Sequence, residues 1–461
     1  MYFDDYDKTK CCGCTACQQI CPKNCIEMVK DNEGFLYAKK INLSKCIKCN
    51  LCEKVCPLNN SEDYSNVPKC YYGWHSNENK RMLSTSGAAF IALAEICKKH
   101  DYYFCGAVYS DDYKNVHHIC SNSLNDIYKM RGSKYVQSNL QNCFSEIKEL
   151  LNNEKKVLFC GTPCQAYGLK KYIGNKLDKN LLIVGLVCHG VASPECYKKY
   201  IEEIELKYNS KIKSIKFRDK LLDNGVLSHK FTTIKMKNGE NIISTKNPYT
   251  ITYGMGLMHR PCCSYCNYTT PIRNIDITIG DFWGIEDHFP RLKNEVSKGI
   301  SLILIHSEKG EKIIDELREV MVLNEVPYTF SLNARQHQLS RPIEENSKSR
   351  VQIVIVSKNR IDFNDIKEYF QVIHNKNMKN IKYYTYIKGN IRENNNIDEI
   401  EEKLIKSIDK RKVKEIKRIN LEKGTTGIIN LKSDYQFNYS IMTYEEDRKL
   451  ILGTPIIFTT Y

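Results

Sequence analysis

Eight cysteines in the first 60 residues follow one spacing twice. Cys11, Cys14, Cys17 and Cys21, with Pro22 next, read CxxCxxCxxxCP, and Cys46, Cys49, Cys52 and Cys56, with Pro57 next, repeat it. This spacing wraps three thiolates around one face of an iron-sulfur cubane, while the fourth cysteine leaves on a short helix and reaches the other cluster. One [4Fe-4S] cluster is therefore assigned to Cys11, Cys14, Cys17 and Cys56, and a second to Cys46, Cys49, Cys52 and Cys21. Cys12 stands only two positions before Cys14 and reads as a non-ligand; Cys25 reads as a small buried residue. Structural zinc, the rival for these thiolates, calls for CxxC pairs with a longer spacer.

Four more cysteines fall where an α/β fold places its chemistry. In GTPCQAYGLKKY (161–172) a strand ends at Cys160, Thr162 caps a helix and Pro163 opens it, so Cys164 lies in the first turn, where free amides and the dipole favour thiolate. A second strand, LLIVGLV, runs into Cys188 and His189, and Ser193 with Pro194 starts the next helix. Cys263 and Cys266, in RPCCSYCNY, precede the alternating strand of DITIGDFWG (276–284). Each of these alone reads equally as a buried thiol, and the CxxC as a redox dithiol. Together, Cys164, Cys188, Cys263 and Cys266 make a third [4Fe-4S] site, with spacing to Cys266 favouring Cys263 over Cys262. Asp281 is placed to orient a basic residue and Trp283 to wall the cluster or pack; His117 and His118, in a polar stretch, read as solvated.

The elements that must position these residues divide the chain. A cysteine-rich module (1–60) is followed by a polar linker (61–69), an alternation of short apolar runs and amphipathic stretches (70–350), and a Lys-, Asn- and Ile-rich extension without cysteine (351–461). The alternation argues for an α/β domain. In the extension, Asn396 capping a helix with Glu399, and Ile397, Ile400, Leu404 and Ile408 at helical spacing, predict one docking helix closed near Gly424. The 461 residues are 42% hydrophobic, enough for two or three cored domains. The net charge of +15 is spread along the chain instead of forming a basic arm, which argues against a nucleic-acid partner. No run of about 18 apolar residues predicts a membrane span and no signal segment opens the chain, so it is expected in the cytoplasm, with its 22 cysteines reduced or bound to metal.

STSGAAF (84–90), RGSKYVQS (131–138), GTPCQAYGL (161–169), VCHGVASP (187–194), FRDK (217–220), RPCCSYC (260–266) and DITIGDFWGIE (276–286), in that order behind the cysteine module, resemble the family of coenzyme F420 hydrogenase/dehydrogenase beta subunits over roughly residues 8 to 310. Ala88 stands where that family has glycine, and Cys262 where it has serine. The resemblance implies an α+β ferredoxin-like module followed by a larger α/β flavin-binding domain, and beyond it a small, partly helical C-terminal region. It also implies FAD passing electrons between the clusters and F420, ferredoxin, NAD(P)H or another carrier, or else relaying them to a partner enzyme; some bacterial members accompany surface-polysaccharide enzymes. No GxGxxG follows a strand, so the diphosphate of FAD is placed on Ser84, Thr85, Ser86 and Gly87 at the start of an apolar helix. Arg131 and Lys134 supply cations, Tyr135 stacks, and Gly161 with Thr162 completes the cofactor site. His189 protonates flavin or substrate, or donates a hydrogen bond to a cluster sulfur.

Overall fold

A computed structural model describes residues 2–59, 67–245, 247–254, 256 and 258–342, and beyond these only short strands between 350 and 441. Its centre is a mixed eight-stranded sheet. The strands are β3 (Lys69–His75), β4 (Tyr103–Tyr109), β5 (Val116–Ser121), β6 (Val157–Gly161), β7 (Leu181–Leu186), β11 (Ile277–Asp281), β12 (Ser301–Ile305) and β13 (Met321–Val326), in the order β13-β3-β12-β11-β7-β6-β4-β5. β4, β6, β7 and β11 run parallel, and the flanking pairs are antiparallel.

The apolar run in β7 is continuous because this strand is covered on both faces. Leu158, Leu182 and Val184 pack with Ala92, Leu93 and Ile96 of the helix Ala89–Lys99 and with Ile313 and Leu317 of the helix Glu308–Leu317. On the other face Val157, Phe159, Leu181 and Ile183 meet Phe144 and Ile147 of the helix Cys143–Asn152 and Leu169 and Tyr172 of the helix Pro163–Ile173. Parallel β6, β7 and β11 therefore end at one edge, where Gly161, Cys188 and Asp281 emerge. Such an edge is where open α/β sheets bind ligands.

A long hairpin of β8 (Ile212–Asp223) and β9 (Val226–Met236), extended by β10 (Asn241–Ser244), leans against this edge. The N-terminal unit pairs β1 (Ile26–Lys30) with β2 (Leu36–Lys40) beside the short helices Ala16–Ile20 and Leu51–Lys54. It is fastened to the sheet domain by Ser193 Oγ donating to Glu33 O (2.6 Å), Tyr268 Oη to Pro57 O (2.6 Å) and Gln137 Nε2 to Cys12 O (2.9 Å).

Residues 61–66 of the expected linker and the helix expected from Asn396 lie outside the described residues. Strand β3 begins at Lys69, the last residue assigned to the linker. No helix of the described residues is long and apolar enough to cross a membrane. The expectation that every cysteine is a free thiol or a ligand is corrected at one place: Cys105 of β4 and Cys120 of β5, directly opposite in register, form a disulfide.

Candidate functional site

Burial, and then the charges of Cys14, Cys11, Cys56 and Cys52, push the Cys17 thiol well up, so sulfurs of both motifs lie within electrostatic reach of it. Cys21 and Cys46 adjoin through Cys25: its N–H donates to Cys21 Sγ (3.2 Å), and after burial the charges of Cys21 and Cys46 raise its thiol. Cys46 and Cys49 are exposed, Cys52 and Cys21 half-buried. Cys25 is buried, as its position suggested, and so is Cys12. Cys12 packs between Cys14 and Cys164, bridging the N-terminal unit and the next group of sulfurs.

That group forms at the carboxyl edge of the sheet. Thr162 caps the helix Pro163–Ile173, its N–H donating to Gln165 Oε1 (3.1 Å), and Thr162 Oγ1 lies 3.3 Å from Cys164 Sγ. Ser193 Oγ accepts from Cys196 N–H and opens the helix Pro194–Lys207, which fixes the loop carrying Cys188. Burial and then the charges of Cys263, Cys164 and Cys266 push the Cys188 thiol well above its ordinary value. Four sulfurs from three segments are thus within electrostatic reach of one another. Cys262 is buried at the side of Cys263.

Arg260 tests whether these sulfurs suit clusters. Its side chain is only 1% exposed, and it donates to Cys11 O (2.8 Å), Leu36 O (2.8 Å) and Gln137 Oε1 (2.9 Å), with Cys11 Sγ at 3.7 Å and the Tyr37 ring at 4.1 Å. Burial works against its charge, yet Cys11, Tyr37, Cys262 and Cys12 hold its pKa above the usual arginine range. A buried guanidinium set against sulfur fits thiolates that carry permanent charge, as cluster ligands do.

A cleft of about 570 Å³ opens beside Cys188. Ser84, Thr85, Ser86, Arg131, Lys134, Tyr135, Gly161, Thr162 and His189 all line it. Thr85 Oγ1 accepts from Ser133 N–H (3.2 Å) and ties the two loops together, while the Ser84 and Ser86 hydroxyls donate to Lys80 O (2.8 Å) and Ile300 O (2.8 Å). Lys220 Nζ clamps the same loop through Arg81 O and Ser86 O, 2.6 Å each. Lys134 Nζ is held by Met130 O (3.0 Å), Gly132 O (3.2 Å) and Arg131 O (3.4 Å), and burial lowers its pKa to about 7. The Tyr135 and Tyr253 rings, 4.4 Å apart, also line the cleft.

Gly87 stands outside the lining. Its N–H donates to Ser301 Oγ (2.9 Å), and a Cβ there would meet Gly73 O at 2.3 Å and Ser301 N at 2.7 Å. Gly87 thus serves a close approach of backbones, and Gly87→Ala is expected to destabilise the protein by about 3 kcal/mol, because neither neighbour can swing aside. Thermal unfolding would check this. Ala88 caps the helix Ala89–Lys99 in the left-handed conformation (φ 69°), the backbone that makes glycine the residue of choice there.

Two readings change and one is made specific. His118 is buried, not solvated: its ring stacks on Phe159 (5.5 Å), it lines the cleft, and burial lowers its pKa to about 4. Trp283 walls the cleft instead of the sulfurs, with the Arg218 guanidinium 4.8 Å from its ring. Asp281 orients a basic residue as expected, and that residue is Arg218 of the hairpin, in a two-pronged pair whose second bond is 3.1 Å. Burial opposes the Arg218 charge, and Asp281 outweighs it and raises the pKa. His189 Nε2 donates to Gly254 O (3.1 Å), which leaves the neutral ring an acceptor at Nδ1. Arg218, Lys220 and Arg260 were visible as charges inside FRDK and RPCC, but nothing local distinguished them from surface cations.

The model for the C terminus of coenzyme F420 hydrogenase/dehydrogenase beta subunits matches residues 154–329, and that of the 4Fe-4S dicluster domain matches residues 10–60. The chain is similar to the F subunit of F(420)H(2) dehydrogenase from Methanosarcina mazei, 24% identical over 331 residues that make up 69% of this chain and 85% of the relative. It is also similar to a chain of the xenon-derivatised F420-reducing [NiFe] hydrogenase complex from Methanosarcina barkeri, with 17% identity, a TM-score of 0.40, and coverage of 57% of this chain and 85% of that one.

Proposed function

We propose, from the match of residues 154–329 to the C terminus of coenzyme F420 hydrogenase/dehydrogenase beta subunits and of residues 10–60 to the 4Fe-4S dicluster domain, an iron-sulfur flavoprotein oxidoreductase that binds FAD in the 570 Å³ cleft. The observation that carries this reading is that Cys188 belongs at once to the four-sulfur group and to the cleft wall. Bound flavin would exchange hydride with an organic carrier and single electrons with iron-sulfur centres. The chain's residues do the rest. The loop at Ser84–Ser86 and the free amides opening the helix at Ala89 receive the diphosphate, with Lys134 and Arg131 beside it. Tyr135, Tyr253 and Trp283 offer apolar ring faces, and Arg218, fixed by Asp281, places positive charge against an electron-rich ring system. Cys11, Cys14, Cys17 and Cys56 hold one cluster, Cys46, Cys49, Cys52 and Cys21 the next, and Cys164, Cys188, Cys263 and Cys266 the third. The exposed edge at Cys46 and Cys49 suits a docking redox protein, which would make F420, ferredoxin or NAD(P)H one terminus and that protein the other.

Anaerobically prepared protein is expected to carry about twelve iron atoms per chain, four for each cluster, and one acid-extractable FAD. Cys164→Ser should remove about four of those irons while keeping the electron paramagnetic resonance signals of the N-terminal pair. About eight irons in the unaltered protein would remove the third cluster, and absence of flavin after growth and reconstitution with FAD would overturn the flavoenzyme reading. Reduction tested in parallel with F420H2, NAD(P)H and reduced ferredoxin then identifies the carrier.

A further inference from the structure

Three sulfurs outside every cluster motif meet behind the cleft. Cys105 is fully buried on β4, Cys120 is half-buried on the edge strand β5, and Cys143, 2% exposed, is the first residue of the helix Cys143–Asn152. All three sulfurs lie within 4.8 Å of one another. Cys105 and Cys120 are joined, and Cys143 Sγ lies 3.6 Å from Cys120 Sγ. We propose that Cys105, Cys120 and Cys143 form a thiol–disulfide exchange centre that accepts a low-molecular-weight thiol at Cys120.

The burial pattern assigns the roles. An outside thiolate reaches a disulfide only at an accessible sulfur, and Cys120 is the one residue of the three that is not fully buried. Burial pushes the Cys143 thiol up and keeps it protonated, so the resting disulfide survives beside it until an outside thiolate opens the bond. In the first step the incoming thiolate attacks Cys120 Sγ. A bond forms between the two, the Cys105–Cys120 bond breaks, and Cys105 leaves as a thiolate positioned to take the proton of Cys143. In the second step Cys143 Sγ attacks Cys120 Sγ, the Cys120–Cys143 bond forms, and the small thiol departs as thiolate. These steps isomerise the disulfide with no net electron change. If a second small thiolate attacks the adduct's own sulfur instead, Cys120 is released, the small thiols leave as their disulfide, and two electrons have reduced the protein.

The centre adjoins the cleft without depending on what the cleft binds. Cys105 pairs in register with Phe159 of β6, and His118, two residues before Cys120 on the same face of β5, stacks on the Phe159 ring and lines the cleft. An exchange at Cys120 therefore acts on the strand that carries a cleft wall.

The test uses the full chain prepared anaerobically, incubated with glutathione, quenched in acid, alkylated in denaturant and mapped by peptide mass spectrometry. Untreated protein should give linked Cys105 and Cys120 peptides. Limited glutathione should convert these to linked Cys120 and Cys143 peptides with Cys105 alkylated, and excess glutathione to three alkylated cysteines. In Cys143→Ser the glutathione should remain on Cys120, and Cys143→Ala should behave alike. The proposal is overturned if the three cysteines are alkylated both before and after oxidised glutathione, if glutathione never yields a Cys120–Cys143 link, or if stoichiometric zinc protects all three. The wild-type measurements decide the matter even where a variant fails to fold.

Discussion

Arg260→Gln is expected to destabilise the protein by about 3–5 kcal/mol, the usual consequence of removing one partner from a buried charged contact, and to lower the midpoint potential of the centre assigned to Cys11. The side chain is enclosed, and its loss takes donors from Cys11 O, Leu36 O and Gln137 Oε1, of which a single amide can replace one. Each such orphan costs roughly 1–3 kcal/mol. The same bonds cross from the sheet domain to the N-terminal unit, so the seating of that unit should loosen, exposing Cys11 and Cys12 to alkylation. The potential separates an electrostatic role from a merely structural one. A cation 3.7 Å from Cys11 Sγ favours the more negative, reduced state of whatever those sulfurs hold, and its removal makes reduction harder. Arg260→Lys should keep most of the potential and little of the stability, because one ammonium cannot span three acceptors. An anaerobic redox titration followed by electron paramagnetic resonance reads the midpoint, and a midpoint unchanged in Arg260→Gln would refute the tuning role.

The local signals in the sequence were faithful wherever one segment determined its own structure. Thr162, Pro163 and Gln165 specify a capped helix from within four residues, and the helix starts there. Leu181 to Leu186 is apolar throughout because it lies between neighbours on both sides, and it forms the central strand β7. The dicluster domain was legible for the same reason, since the twice-repeated cysteine spacing lies within residues 10–60. What escaped was settled by partners distant in the chain. His118 sits among polar neighbours in sequence, but its face of β5 turns inward onto Phe159, 41 residues on. Arg218 and Asp281 are 63 residues apart and define each other's roles only when the β8–β9 hairpin closes on β11. Gly87 looked like part of a phosphate loop because its neighbours line the cleft, and only the packing of β3 and β12 shows that its missing side chain makes room for backbone.

Lys134→Met is expected to weaken FAD binding about 10- to 100-fold, the worth of one charge-assisted contact of roughly 1.5–3 kcal/mol, while flattening the rise of the flavin-free protein's stability with pH. Both effects come from one buried amine with a folded pKa of about 7. Unfolded, the group titrates near 10.4. Between about pH 7 and pH 10 the unfolded chain therefore holds a proton that the folded one does not, and folding stability rises with pH across that window. Below the window both states are protonated and the folded state bears the full cost of the buried ammonium. Methionine, of similar length and without charge, removes that cost and should flatten the slope, which urea unfolding at a series of pH values would read. Ligand binding runs with the opposite sign. A diphosphate requires the ammonium, so affinity should be highest below about pH 7 and fall as pH rises, with proton uptake on binding above it. Isothermal titration of the flavin-free protein in buffers of different ionisation enthalpy detects that proton. An affinity independent of pH from 6 to 9 would mean that Lys134 does not meet the diphosphate, and the phosphate site would then move to the free amides at Ala89 alone.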